Sequence, residues 1–181
     1  MSKIQMKAWL MRGYGEKFKP AIISGVIAIS ANIVMLLVGH AVHIKTGHGG
    51  LLKALAIAFD FYPIPWDAKV LLLLSPLSWK YIFHFFVGII MAIIYAYMVD
   101  PALGERITVI AKGAAYAATV WIVNAAVILP FLGEGFAGYR VLPLSGMIYF
   151  AMAHTLFFIL LAVIYSKIYL RGSGKTLQNI V

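Results

Sequence analysis

"PLSWKYIFHFFVGIIMAIIY" (residues 76–95) and "PLSGMIYFAMAHTLFFILLAVIY" (residues 143–165) are two apolar runs that share an opening and a set of polar landmarks. Each begins Pro-Leu-Ser. Each carries one histidine, then Ala and Tyr at matching distances: His84, Ala92, Tyr95 and His154, Ala162, Tyr165. A run of about 20 apolar residues is what an α-helix needs to cross a hydrocarbon core about 30 Å thick. From the histidine to the tyrosine is about three helical turns, so the two share one face of each helix, off by roughly 20°.

Two more runs have spanning length: "AIISGVIAISANIVMLLVGH" (21–40) and "TVIAKGAAYAATVWIVNAAVILPF" (108–131). With about 77–98 and 145–168 they predict four transmembrane helices in a single membrane domain, residues 1–181. The fold class is therefore all-α, a polytopic membrane four-helix bundle. Composition agrees: 63% of residues are hydrophobic, 12% are charged and mean hydropathy is +0.94, against about 25% charged in a soluble domain. The absence of cysteine excludes disulfides, thiolate-held iron–sulfur clusters and cysteine nucleophiles.

The net charge of +9 flanks the spans, as topology and anionic headgroups require, and does not form a nucleic-acid surface. Of the 15 Lys and Arg, ten fall on the side of the N-terminus, among them Lys3, Lys7, Arg12, Lys17, Lys19 and Lys167. The positive-inside rule then places both termini in the cytoplasm of a prokaryotic (inner) membrane, with the lipid bilayer and other membrane subunits as partners and no nucleic acid. The first run ends "LLVGHAVH" without a small-x-small cleavage site, and reads as a retained span.

Residues 1–20 mix Ile4, Trp9, Leu10 and Met11 with basic residues. This fits an interfacial amphipathic helix, the other reading being a disordered basic tail. In the outer loop, 41–75, "LLKALAIAFDFY" (51–62) is too short to span and reads as an interfacial or re-entrant helix. The prolines of "PIPWDAK" end it. Phe61, Tyr62, Trp66 and Trp79 are expected in an aromatic belt, and His48 in a solvated turn.

The matching runs suggest two parallel repeated helical hairpins, 21–98 and 108–168. The first and third spans give no clean alignment, although each has an asparagine in its outer half, Asn32 and Asn124. Small-xxx-small spacings (Ser24/Ala28, Gly113/Ala117, Ala114/Ala118) favour close helix packing, since lipid supplies little hydrophobic drive between helices.

Polar groups at depth are the informative ones, because an unsatisfied group there costs several kcal/mol. Lys112 is expected to snorkel, and Tyr95 and Tyr165 to sit in the inner aromatic belt. Asn32 and Asn124 are expected as buried polar packing residues. For His84 and His154, near mid-depth, three readings stand. They hydrogen-bond neighbouring helices; they ligate haem b as an axial pair, with Gly88 making room but Phe158 filling the equivalent place; or they line a proton or solute path. His40, His43 and His84 form an outer-side metal alternative. The path reading lacks a carboxylate at depth, since Asp100 and the other acids are assigned to loops and tails. No catalytic residue is predicted: there is no Ser-His-Asp arrangement, HExxH, P-loop or GxGxxG.

The segment "HFFVGIIMAIIYAYMVDPALG", together with a third span ending "NAAVILPFLGEG", resembles small uncharacterised four-helix bacterial integral membrane proteins. These carry a His-x3-Gly…Tyr pattern on the second helix and a proline near the end of the third. The matching positions are His84, Gly88, Tyr95, Pro130 and Gly133. The resemblance implies the bundle and its orientation, and no chemistry. The expected function is a non-catalytic accessory subunit of a larger membrane complex, a respiratory or other redox enzyme. The alternatives are a haem b electron carrier using His84 and His154, and a small solute or proton channel.

Overall fold

A computed structural model describes residues 3–46, 51, 54–55 and 76–172. Of the interfacial or re-entrant helix expected over 51–62 only residues 51 and 54–55 are described, as helical, and the belt residues Phe61, Tyr62, Trp66 and Trp79, with His48, lie outside the described residues or side chains. The first helix, α1, runs Lys3–Ala41 without a break through Pro20. The N-terminal segment thus continues the first span's helix rather than forming a separate element, and its first side chains lie outside the description.

The second span is α2 (Pro76–Ile94), a π-helical segment (Tyr95–Val99) and a last turn (Asp100–Leu103). The third is α3 (Val109–Val123), a π-helical segment (Asn124–Ile128) and a last turn (Leu129–Phe131). The fourth, α4, runs Leu144–Gly172. Four stretches of 23–29 residues within these helices are long and apolar enough to cross a membrane. Their length, about 35–44 Å at 1.5 Å per residue, exceeds the hydrocarbon thickness.

Both π-helical segments have the same local cause. A proline lacks an N–H, and its ring presses on the carbonyl four residues back. Pro101 and Pro130 each follow a segment in which the backbone bond spans five residues: Asp100 N–H to Tyr95 O, and Leu129 N–H to Asn124 O. Widening the turn keeps the helix continuous past the ring. The second span stops at Gly104, whose φ of 69° no residue with a side chain adopts cheaply. The third starts where the Thr108 hydroxyl accepts from Ala111 N–H at 3.3 Å.

Around the bundle, α1 packs against both α2 and α4, and α3 packs against α4. The α2 side meets α3 chiefly through its π-helical segment. Close approach is set by glycine. A Cβ on Gly25 of α1 would lie 2.7 Å from the Cβ of Ala92, and one on Gly113 of α3 would lie 2.9 Å from the Ile159 backbone and 3.1 Å from the Cβ of Ala162. Ala92 and Ala162 are the matching alanines of the two quoted runs, and both are fully buried.

The core contains Ile29, Tyr95, Tyr116, Phe157, Phe158, Leu161 and Tyr165. Tyr95 and Tyr165 are 0% and 1% exposed, which corrects their expected place in an aromatic belt. They meet each other edge to face, with ring centroids 5.6 Å apart. Their phenol rings fill the space left beside small residues, and apolar area decides over the wet hydroxyl.

The two small-residue stripes of α3 separate cleanly. Gly113 and Ala117 are buried against α4, whereas Ala114 and Ala118 are exposed. Gly113→Ile should therefore force α3 from α4 and destabilise the bundle by about 1–3 kcal/mol. Ala114→Ile should leave the thermal midpoint in detergent nearly unchanged; equal losses for the two variants would contradict this packing.

Candidate functional site

At mid-depth three helices meet through one amide. Asn32 of α1 is 2% exposed. Its Nδ2 donates to the Ala153 carbonyl of α4 at 2.7 Å, and its Oδ1 lies 2.8 Å from His84 Nε2 of α2. The carbonyl can only accept, so the amide orientation is fixed and Oδ1 faces the histidine. His84 Nε2 must then carry the proton and donate. His154, one residue after Ala153, has Nδ1 2.9 Å from the Phe150 carbonyl one turn back. By the same logic Nδ1 carries its proton, and Nε2 keeps the lone pair in the neutral ring.

The two histidines face each other, with ring centroids 6.4 Å apart and planes at 70°. Both are half-buried. Phe150 packs on His154 with centroids 4.2 Å apart. The histidines of the two similar sequence runs are thus brought to one place, as are their tyrosines.

Asn124 is half-buried at the start of the second π-helical segment. Its side chain has no hydrogen-bond partner among the described residues, so of the two asparagines Asn32 is the one that ties helices together. His40 and His43 are exposed, His40 in the last turn of α1 and His43 just past it at φ 61°. Among the described residues no three His, Asp or Glu side chains stand close enough to hold a metal ion. The grouping of His40, His43 and His84 is therefore not assembled by the fold.

The end of the bundle where α1 begins and α4 finishes carries a second polar cluster. Lys112 is 7% exposed and its Nζ lies 2.6 Å from Asp100 Oδ1. This corrects two expectations. Lys112 is paired rather than snorkelling, and Asp100 sits on the helical end of the second span rather than in a loop. The reason is Pro101: the π-helical turn before it carries the helix past residue 98 and aims Asp100 at α3. Tyr116, between the two clusters in sequence depth, donates to the Met91 carbonyl at 3.3 Å, with Met91 Sδ at 3.1 Å.

The outer face between α3 and α4 has a shallow groove of about 310 Å³, lined by Ala114, Ala117, Ala118, Trp121, Ala151 and Thr155. Trp121 is capped edge to face by Phe136 at 6.2 Å. No charged side chain lines this groove.

No family model matches the chain, and neither the curated proteins nor the solved structures give a match.

Asn32 is the joint of the mid-depth cluster. Asn32→Leu and His84→Leu should each destabilise, with a coupling energy of about 0.6–2 kcal/mol in a double-mutant cycle, in the range of interhelical bonds in membranes. Additive effects would show that the two side chains do not support each other. At the other cluster, Lys112→Met should cost more than Lys112→Met/Asp100→Leu, because the single variant leaves a carboxylate unpaired.

Proposed function

We propose that this chain is a non-catalytic accessory subunit of a larger membrane complex, held to its partners by lateral helix packing. The observation that carries the reading is the divided use of α3. One stripe, Gly113 and Ala117, is consumed inside the bundle, while Ala111, Ala114, Ala115 and Ala118 face outward at membrane depth. Lipid chains gain little from alanine, but a neighbouring helix gains close backbone approach. The polar groups at depth support the same reading. Asn32, His84, Lys112, Asp100 and Tyr116 are engaged in bonds within the bundle, which fits a role in holding the helices together.

The finer placement belongs to this proposal too: a prokaryotic cytoplasmic membrane, both termini cytoplasmic, and an architecture of two repeated hairpins. Burial favours the repeat. Ala21, Ser24, Gly25, Ala28 and Ile29 of α1 and Val109, Lys112, Gly113, Tyr116 and Ala117 of α3 are buried at a constant separation. That register is the one in which both hairpins close on glycine and alanine.

A second reading, a haem b protein, has one specific observation in its favour. The His84 and His154 rings lie 6.4 Å apart, and His154 donates Nδ1–H to a carbonyl, the arrangement that leaves Nε2 for a metal. The bond from His84 Nε2 to Asn32 weighs against it, because ligation through that nitrogen would break it. A respiratory or other redox complex as the host rests on this histidine pair alone. A proton or solute path gains a carboxylate in Asp100, and its pairing with Lys112 speaks for a structural role.

Purification from the native membrane in mild detergent should bring down defined partner chains, and Ala118→Leu should weaken their recovery while leaving thermal stability intact. A monomer free of other chains would end the accessory-subunit reading. A redox difference spectrum of the same preparation settles the haem reading: absorbance lost in His154→Ala would support it, and a flat spectrum would remove it.

A further inference from the structure

The hydroxyls of Tyr95 and Tyr165 are buried and have no hydrogen-bond partner among the described residues. Other buried polar groups of the same half of the bundle do have partners. Ser24 donates to the Pro20 and Ala21 carbonyls at 2.8 and 3.0 Å, Tyr116 to Met91, and Lys112 to Asp100. Two phenols left over, on facing helices and 5.6 Å apart between ring centroids, is a specific anomaly. A buried O–H without an acceptor is costly in any protein, and more so where no bulk water is near.

We propose that the bundle binds an internal water molecule between Tyr95 and Tyr165. Water is the guest that the chemistry selects. Each phenol needs an acceptor and can itself accept, and a water supplies two lone pairs and two protons to a pair of such groups. An anion is disfavoured by Asp100, whose backbone N–H bonds the Tyr95 carbonyl and whose carboxylate therefore stays within one turn of the site. The bound water joins the two matched runs at their tyrosines, as Asn32 joins α1 to α2 and α4 higher up.

Phenylalanine substitutions test this without changing ring volume. Thermal unfolding in detergent is followed for the unmodified chain, Tyr95→Phe, Tyr165→Phe and the double variant. A bridging water predicts that each single variant lowers Tm by a few degrees, and that the double variant loses less than the sum, because the second hydroxyl has already lost its bridge. If instead each hydroxyl lies against the neighbouring ring face or stays unpaired, the single changes are neutral or raise Tm and they add; that result overturns the proposal. Infrared spectra in oxygen-18 water give an independent reading. A water O–H band that shifts with the isotope should be present in the unmodified protein and absent from the double variant, which has no unpaired donor and folds under either outcome. Identical isotope-sensitive spectra for the two proteins would also overturn it.

Discussion

In a bilayer a polar group must find its partner inside the protein, and the Asn32 amide is where this constraint organises the bundle. Its two ends are chemically distinct, so it can join unlike partners: Nδ2 serves a carbonyl that only accepts, and Oδ1 serves a histidine that must then donate. Three helices are fixed by one side chain that is almost fully buried. Sliding α4 by a turn against α1 would move Ala153 away from Nδ2, and rotating α2 would remove His84 from Oδ1. The alternatives each leave an amide or imidazole unpaired in hydrocarbon, which costs several kcal/mol. Register is thus set by polarity and close packing by size.

Size operates through matched small residues. Gly25 against Ala92 and Gly113 against Ala162 bring two helix pairs so near that a methyl group on either glycine would collide. With the backbones this close, the large side chains one turn along have nowhere to go but the centre. Tyr95, Tyr165, Tyr116 and Phe158 accordingly form one aromatic cluster with ring centroids 4.5–6.1 Å apart. The fold that follows is dense at the end bearing the termini, and its α2 and α3 sides are only loosely joined beyond the π-helical segment.

Much of this was legible in the sequence, and the exceptions share a cause. Spans and their number follow from hydropathy, which is local or nearly so, and the bond from His84 to a neighbouring helix matches one of the three readings open for the histidines, whereas His154 bonds its own helix. What eluded reading depended on which way a helix continues past a proline and on what lies across from it. Asp100 looks like a loop residue because Asp-Pro is a helix-ending pair, yet the π-helical turn carries the helix through it. Lys112 looks free because its partner was assigned to that loop. Tyr95 and Tyr165 look like belt residues because their depth is right, but depth does not say which face is inward. The relation between α1 and α3 eluded alignment for a different reason: at a constant offset Ser24 corresponds to Lys112 and Ala28 to Tyr116, so burial recurs where identity does not.

That recurrence bears on what the molecule can be. The histidines and the tyrosines of the two similar runs meet their counterparts across the bundle, while the alanines meet glycines of α1 and α3. The odd helices differ: α1 has an asparagine that binds its neighbours, and α3 has Lys112 inside and an alanine face outside. Asn32, His84, Lys112 and Asp100 bond across the bundle, and α3 carries a small, apolar face outward. In lipid, such a surface gains from a packed helix what it cannot gain from acyl chains. The asymmetry between α1 and α3 thus supports the proposed partner on the α3 side.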